Sequence, residues 1–259
     1  MKKMIFFGAL FFTLMVINQL GAQEYKIPVQ NSKDGKLTLT DFMGDLPIEG
    51  YSGNEIIITS EGDNKITIPD RAKGLKPVYP SGTDNTGMGL YVEKNGNQVS
   101  VLCLLPITKG GEYKIKVPDN FALKIESGCE RSTDIDIRNM KNELEITNCQ
   151  GIKLTNVTGP LVLSSISGDI EIVYNESPGK PVNINSVSGE VDVTLPSKTP
   201  VDIEMKTISG AIYSDFDFPT DKGSMKQIAG STIKHGLNGG GVSFKIIAVS
   251  GNIYLRKGK

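Results

Sequence analysis

The chain has 259 residues, with 28 Lys and Arg against 29 Asp and Glu and a formal net charge of −1 at pH 7. Proteins that bind nucleic acid or anionic lipid need clustered Lys and Arg, so this balance argues against both partners. Gly is abundant at 29 residues, Trp is absent, and Ile, Val and Thr recur throughout. This composition is typical of many short strands joined by tight turns, and it predicts an all-β protein.

The N-terminus has the pattern of a secretory signal peptide over residues 1–22. Two lysines precede the apolar run Met4–Ile17, and the small residues Gly21 and Ala22 follow it. The run is shorter than the ~20 apolar residues that a spanning helix needs, and no second run follows, so we predict no membrane span. The first cysteine is Cys103, which excludes a lipoprotein cysteine at the cleavage site. We therefore expect an exported protein that is periplasmic, displayed on the outer surface or secreted.

Residues 23–110 read as an irregular β region. Residues 73–89, rich in Gly and Pro, are typical of a long loop. We expect this part to cap the N-terminal edge of the stack described next, because a bare sheet edge would add strands from other molecules. The predicted strands are Lys36–Thr40, Asn54–Ser60, Lys65–Ile68, Gly89–Glu93, Gln98–Leu104 and Glu112–Val117.

Residues 111–259 contain a repeat. Four segments share an apolar-Ser-Gly-x-apolar pattern; the first three of their glycines are evenly spaced, and the interval before the fourth is almost twice as long. A fifth, out-of-phase copy precedes them. A fixed period of this kind is typical of a solenoid, and the pattern predicts that each repeated glycine occupies a bend or a position of positive φ. These turn glycines are Gly159, Gly168, Gly189, Gly210 and Gly251.

Alternation within each repeat predicts which side chains are buried. Side chains two positions apart on a strand share a face, so stacked repeats would line up two apolar ladders in chain order. The first is predicted from Ile166, Val187, Ile208 and Val249, and the second from Ile170, Val191, Ile212 and Ile253. The long gap before the last glycine indicates that the region 215–241 replaces one copy.

The three cysteines cannot all pair within one chain. Cys129 and Cys149 are separated by close to one repeat length and could lie on neighbouring strands. A disulfide and a pair of small buried side chains are both open, and we favour the second because free Cys behaves as a compact hydrophobe. No metal site is predicted, since only His235 could add a soft ligand and the chain has no CxxC.

The Ser-Gly series resembles the bacterial putative-adhesin family, exported β-strand-repeat domains of unknown function. Three further segments resemble that family: 84–90 with its Asn-Thr-Gly, the Val-Pro strand 113–118, and the closing 237–253. The resemblance covers roughly residues 25–259. It implies a right-handed parallel β-solenoid or β-roll-like stack, and it implies little chemistry.

No arrangement of residues in the sequence predicts an enzyme or a cofactor site. The acidic pairs Asp134/Asp136 and Asp215/Asp217 alternate on strands and are expected to face solvent. His235 is predicted in a Gly-rich loop, and the sequence contains no nucleophile-elbow motif with which it could form a catalytic triad. The run Gly239–Gly241 lacks the Lys-Ser or Lys-Thr of a phosphate loop and is interpreted as a turn.

These observations favour a non-catalytic envelope or surface module that contacts proteins or glycans. The alternatives are an envelope scaffold that self-associates through strand edges and, less favoured, a β-helix enzyme acting on carbohydrate. If the contact surface lies where the repeat is broken, Phe216, Phe218 and His235 are its candidate residues. The favoured alternative is that both phenylalanines plug the last coil of the core.

The export signal is directly testable. We expect the mature chain to begin near Gln23 because the basic-then-apolar pattern directs cleavage there. Intact-mass measurement of periplasmic or secreted protein checks this, and a cytosolic chain that retains Met1 would contradict it.

Overall fold

A computed structural model of the protein describes residues 22–62, 64, 69–75, 82–218 and 230–258. The described residues form twenty strands and two short 3₁₀ turns, and none of them lies in a helix that could cross a membrane. The strands in chain order are β1 (Gln23–Pro28), β2 (Lys36–Thr40), β3 (Gly44–Tyr51), β4 (Glu55–Ser60), β5 (Leu90–Asn95), β6 (Gln98–Cys103), β7 (Tyr113–Pro118), β8 (Ala122–Glu126), β9 (Thr133–Arg138), β10 (Leu144–Asn148), β11 (Ile152–Thr155), β12 (Leu161–Ser165), β13 (Ile170–Val173), β14 (Val182–Ser188), β15 (Val191–Pro196), β16 (Val201–Ser209), β17 (Ile212–Ser214), β18 (Ser231–Leu237), β19 (Val242–Ser250) and β20 (Ile253–Gly258).

The strands form two sheets that share one core. Sheet A has the order β1-β4-β7-β3-β9-β11-β13-β15-β20-β17, and sheet B has the order β18-β16-β19-β14-β12-β10-β8-β2-β6-β5. From β8 to β15 the chain alternates between the sheets, so each coil contributes one strand to each. Successive coils pair in parallel: Leu161 pairs with Val182, and Ile135 pairs with Ile152 after a shorter stretch of chain. The predicted solenoid is confirmed, with coils of unequal length because the turns differ.

The N-terminal strands belong to the same two sheets. The coil of β2 and β3 lies between the coil of β6 and β7 and the coil of β8 and β9. Beyond β7 and β6, the stack ends in antiparallel strands, β4 and β1 on sheet A and β5 on sheet B.

Sequence reasoning missed two of these N-terminal strands, β1 and β3. Strand β3 contains two glycines and Pro47, which usually indicate a loop. Its ladder with β7 begins only at Ile48, after the proline. The predicted strand at residues 65–68 lies outside the described residues.

The C-terminal coils do not stack in chain order, which corrects the predicted ladder. After β17, strand β18 runs antiparallel to β16 and forms the edge of sheet B. Strands β19 and β20 then insert between the coil of β14 and β15 and the coil of β16 and β17. The long interval before the last repeat glycine therefore reflects a reversal of the chain. Val191 lies between Ile170 and Ile253, where chain order predicted Ile212 as its second neighbour.

The first predicted ladder is on the outside of the protein. Val187 is 50% exposed, whereas Val191, four positions later, is fully buried. In a continuous strand the two would share a face. Gly189 between them has φ +114°, and this left-handed residue breaks the alternation, so that the chain resumes with the opposite side inward. Ser186, not Val187, points into the core.

The repeated glycines form a column along the stack. A Cβ at Gly189 would overlap the carbonyl oxygen of Gly168, one at Gly251 that of Gly189, and one at Gly210 that of Gly251. A Cβ at Gly159 would likewise overlap the carbonyl oxygen of Asn142. The predicted positive φ is present at Gly168, Gly189 and Gly251, while Gly159 and Gly210 are required by close approach alone.

The side chains that follow two of these glycines, Gly168 and Gly251, link neighbouring coils. Oδ1 of Asp169 accepts a hydrogen bond from the backbone N–H of Glu190 at 2.8 Å, and Oδ1 of Asn252 accepts one from Ala211 at 3.0 Å. These side chains satisfy backbone donors at the bends, where regular ladder bonds end. Within the described part of the chain, no group of three or more His, Cys, Asp or Glu side chains is arranged to hold a metal ion.

The two valines of one repeat provide a matched test of the inside and outside assignments. Val191→Asp should lower the free energy of unfolding by about 3 kcal/mol or more, because it places an unpaired carboxylate in the core. Val187→Asp should change it by about 0.5 kcal/mol or less, because the side chain reaches solvent. Equal effects in urea unfolding would show that the face assignment is wrong.

The glycine column makes a second stability prediction. Gly251→Ala should cost about 2 kcal/mol or more, because the added Cβ meets the Gly189 carbonyl and the residue has φ +131°. Gly179→Ala is the control, since no atom lies within 4 Å of its Cβ position and it should shift stability by about 0.5 kcal/mol or less. Chemical denaturation of both variants measures the difference, and a Gly251→Ala protein as stable as the control would contradict the column.

Candidate functional site

Four apolar side chains form an exposed row on the outer face of sheet B, which we call the outer ladder. Its members are related by the parallel pairing of β14, β19 and β16 and by the adjoining end of β12. They are 41–50% exposed. In spatial order they are Ile166, Val187, Val249 and Ile208.

The surroundings of the outer ladder are polar but uncharged along one side. The serine that follows each member is also exposed, so a row of hydroxyl groups runs beside the apolar row. Single exposed apolar residues are ordinary, whereas a contiguous row is typical of a contact surface. Packing of the core does not account for the row, because the inward positions beside it are filled by other side chains such as Ser186 and Ala248.

A disulfide closes one end of the outer ladder. Asn148 on β10 pairs with Ser165 on β12. The next residue, Cys149, therefore lies beside Ile166, one coil earlier in the same column. It is bonded to Cys129, and the bond leaves Cys149 buried and Cys129 exposed. The favoured interpretation of two unpaired buried cysteines is therefore wrong. Cys103 is the free cysteine, and burial raises the pKa of its thiol.

The residues predicted for a contact loop do not form one. Phe216 is 7% exposed and belongs to the core, and Phe218 packs against that core from a partly buried position. His235 lies in strand β18 and not in a loop, paired with Ile203, and its ring is 5.8 Å from that of Phe218. This arrangement is the plug of the last coil, which the sequence favours over a contact loop. Residues 219–229 of this region lie outside the described residues.

A second surface, on the outer face of sheet A, contains a pair of tyrosines that we call the tyrosine platform. Tyr254 on β20 pairs in register with Tyr213 on the edge strand β17, and the two rings are nearly parallel, with centroids 5.3 Å apart. Tyr213 is 53% exposed. The guanidinium of Arg256 lies 5.4 Å from the Tyr254 ring centroid, and its Nε donates to both carboxylate oxygens of Asp192, at 2.8 and 2.9 Å.

Polar contacts hold the platform in place. The Tyr254 hydroxyl donates to Oε1 of Glu190 at 3.0 Å, and the Asn252 amide donates to the same oxygen at 3.2 Å. The hydrogen bond from Asn252 lowers the pKa of the Tyr254 hydroxyl. The Glu190 carboxylate and partial burial together raise that pKa by more, so the net shift is upward. Hydrogen bonding to Asp192 raises the pKa of the Arg256 guanidinium. Both pKa shifts favour a neutral Tyr254 hydroxyl and a charged Arg256 guanidinium at neutral pH.

Sequence reasoning overlooked the platform, although a signal for it is present. Each tyrosine directly follows the apolar residue that ends a Ser-Gly repeat, Ile212 or Ile253, so the two occupy equivalent positions. Their proximity was hidden because β20 reaches β17 only through the insertion of the last coil.

Comparison with known proteins gives a family and three similar structures. The model of the Toastrack DUF4097 family matches residues 107–256. The chain is similar to a putative cell adhesion protein from Clostridium sporogenes, with 15% identity and a TM-score of 0.47, covering 92% of this chain and 100% of that one. It is also similar to a putative adhesin from Bacteroides fragilis, with 10% identity and a TM-score of 0.45, covering 92% and 97%, and to one from Parabacteroides merdae, with 13% identity and a TM-score of 0.30, covering 93% and 98%. A search of curated proteins finds no match. The family model covers more than half of the chain, and the protein therefore belongs to the Toastrack DUF4097 family.

Proposed function

We propose that the protein is an exported, non-catalytic binding module of the adhesin type, and that the outer ladder is its contact surface for a protein of the envelope or of a cell surface. The observation that carries the proposal is the row of four half-exposed β-branched side chains in adjacent coils. Binding a partner that removes these exposed apolar side chains from water lowers the free energy of the system.

Two features support an exported location. The N-terminal pattern is that of a signal peptide, and disulfides such as Cys129–Cys149 form and persist mainly in oxidising compartments. Both features agree with a protein that works outside the cytoplasm.

The chemistry of the outer ladder favours a protein partner over a glycan. The row is aliphatic, with no aromatic ring on which a sugar could stack and no charged side chain among its members. Its four partly covered side chains are far fewer than the roughly 20–30 residues on each side of a standard stable interface. We therefore expect a reversible contact rather than a permanent dimer of this chain.

Charge placed in the outer ladder should prevent this contact. We expect Val187→Asp to weaken capture of the partner from envelope extracts by about tenfold or more, since a carboxylate would be buried against an apolar surface. Val162→Asp is the matched control, because Val162 is 42% exposed on the same face of sheet B but outside the row. The partner captured by the wild type is then purified, and its affinity is measured for the wild type and for the Val187→Asp and Val162→Asp variants.

Two outcomes would contradict the proposal. Equal binding by both variants would place the contact elsewhere. A wild-type chain that sediments as an oligomer, and a Val187→Asp chain that sediments as a monomer, would favour the self-associating scaffold instead.

A further inference from the structure

We propose that the tyrosine platform is a binding site for neutral saccharides, with the exposed ring of Tyr213 as its stacking surface. This inference goes beyond the proposed function, because the platform lies on sheet A and the outer ladder on sheet B. The two sites would bind ligands of different classes.

The geometry leaves one aromatic face available. Arg256 is bonded to Asp192 on β15, while Tyr213 is on β17, at the other side of Tyr254. The guanidinium and the second ring thus cover the two faces of Tyr254. Tyr213 ends this row on the edge strand of sheet A, and its side chain is more than half exposed. Among the residues that the structure describes, an additional ring can therefore extend the row only at Tyr213.

The polar groups beside the rings match sugar hydroxyls. Oε1 of Glu190 accepts hydrogen bonds from Tyr254 and Asn252, whereas Oε2 accepts none from the residues that the structure describes. That oxygen and the planar Asp192–Arg256 pair offer acceptors and donors in fixed orientations. Since Glu190 is held by two hydrogen bonds, little side-chain freedom would be lost when a hydroxyl binds.

Charge and shape select the class of ligand. The platform carries two carboxylates and one guanidinium, so a polyanionic chain would be repelled. An aliphatic protein surface would bury Oε2 of Glu190, which accepts no hydrogen bond from the described residues, without a partner. A pyranose ring has one face of C–H groups that packs on the negative face of an aromatic ring and hydroxyls at its rim that hydrogen-bond. Neutral sugars satisfy both parts of the site.

A printed array of neutral, amino and acidic oligosaccharides tests the inference with the full mature chain. We expect wild type to bind neutral glycans and Tyr213→Ala to bind them about tenfold or more weakly, while Tyr213→Phe, which keeps the ring, retains binding. Thermal melting should change little in either variant, because Tyr213 lies on an edge strand, is more than half exposed and contributes to no buried core. Val187→Asp should also retain glycan binding, so failure of the outer ladder and failure of the platform can be distinguished.

Three results would overturn the inference. They are an array on which wild type binds no neutral glycan, one on which it binds only acidic glycans, and one on which Tyr213→Ala binds neutral glycans as well as wild type does. If Tyr213→Ala melts early, Glu190→Gln takes its place: it keeps the side-chain shape, removes the carboxylate, and should weaken neutral-glycan binding with an unchanged melting temperature.

Discussion

The contact between each repeat glycine and the carbonyl oxygen of the coil beside it determines how the stack is built. Gly189 lies on the carbonyl of Gly168, Gly251 on that of Gly189, and Gly210 on that of Gly251. Any side chain at these bends would push neighbouring coils apart and break the parallel ladders on both sheets. The ladders in turn bring together the inward residues, such as Ile170, Val191 and Ile253, that form the core. The glycine column also sets which residues face outward, because the chain leaves each bend with the opposite side turned inward.

Both ends of the stack deviate from chain order in the same way. Near the N-terminus the coil of β2 and β3 lies one place in from the end, and near the C-terminus the coil of β19 and β20 does so. At one end the outermost positions are occupied by the antiparallel strands β5, β4 and β1. At the other end they are occupied by the antiparallel strand β18 on sheet B and the short parallel strand β17 on sheet A. Insertion gives the strands of the two inserted coils, β2 and β3 at one end and β19 and β20 at the other, a hydrogen-bonded neighbour on both sides.

The fold divides its outer surface into two faces with different chemistry. Sheet B presents an uncharged aliphatic row bordered by serines, and sheet A presents ion pairs such as Lys153–Glu171 and, near its C-terminal edge, two stacked tyrosines. In both cases a residue type repeated along the chain becomes a row or pair in space, because coils stack in register. A solenoid can therefore make a contact surface from single substitutions in successive repeats. The irregular region after Asp215 contributes to the core through Phe216 instead.

The sequence by itself determined the all-β class, the solenoid, most N-terminal strands and the five turn glycines, because strand composition, period and Gly placement are local properties. It did not determine which face Val187 or Ile208 occupies, since alternation predicts burial only while the backbone stays extended, and the chain bends just after each of them, at a left-handed glycine in the case of Val187. The Cys129–Cys149 bond and the Tyr213–Tyr254 pair were likewise decided by tertiary structure. Both depend on which coils are neighbours, and the inserted C-terminal coil places Tyr254 beside Tyr213 although strands β18 and β19 separate them along the chain. The order of coils is set by burial and pairing across the whole stack, which no single repeat encodes.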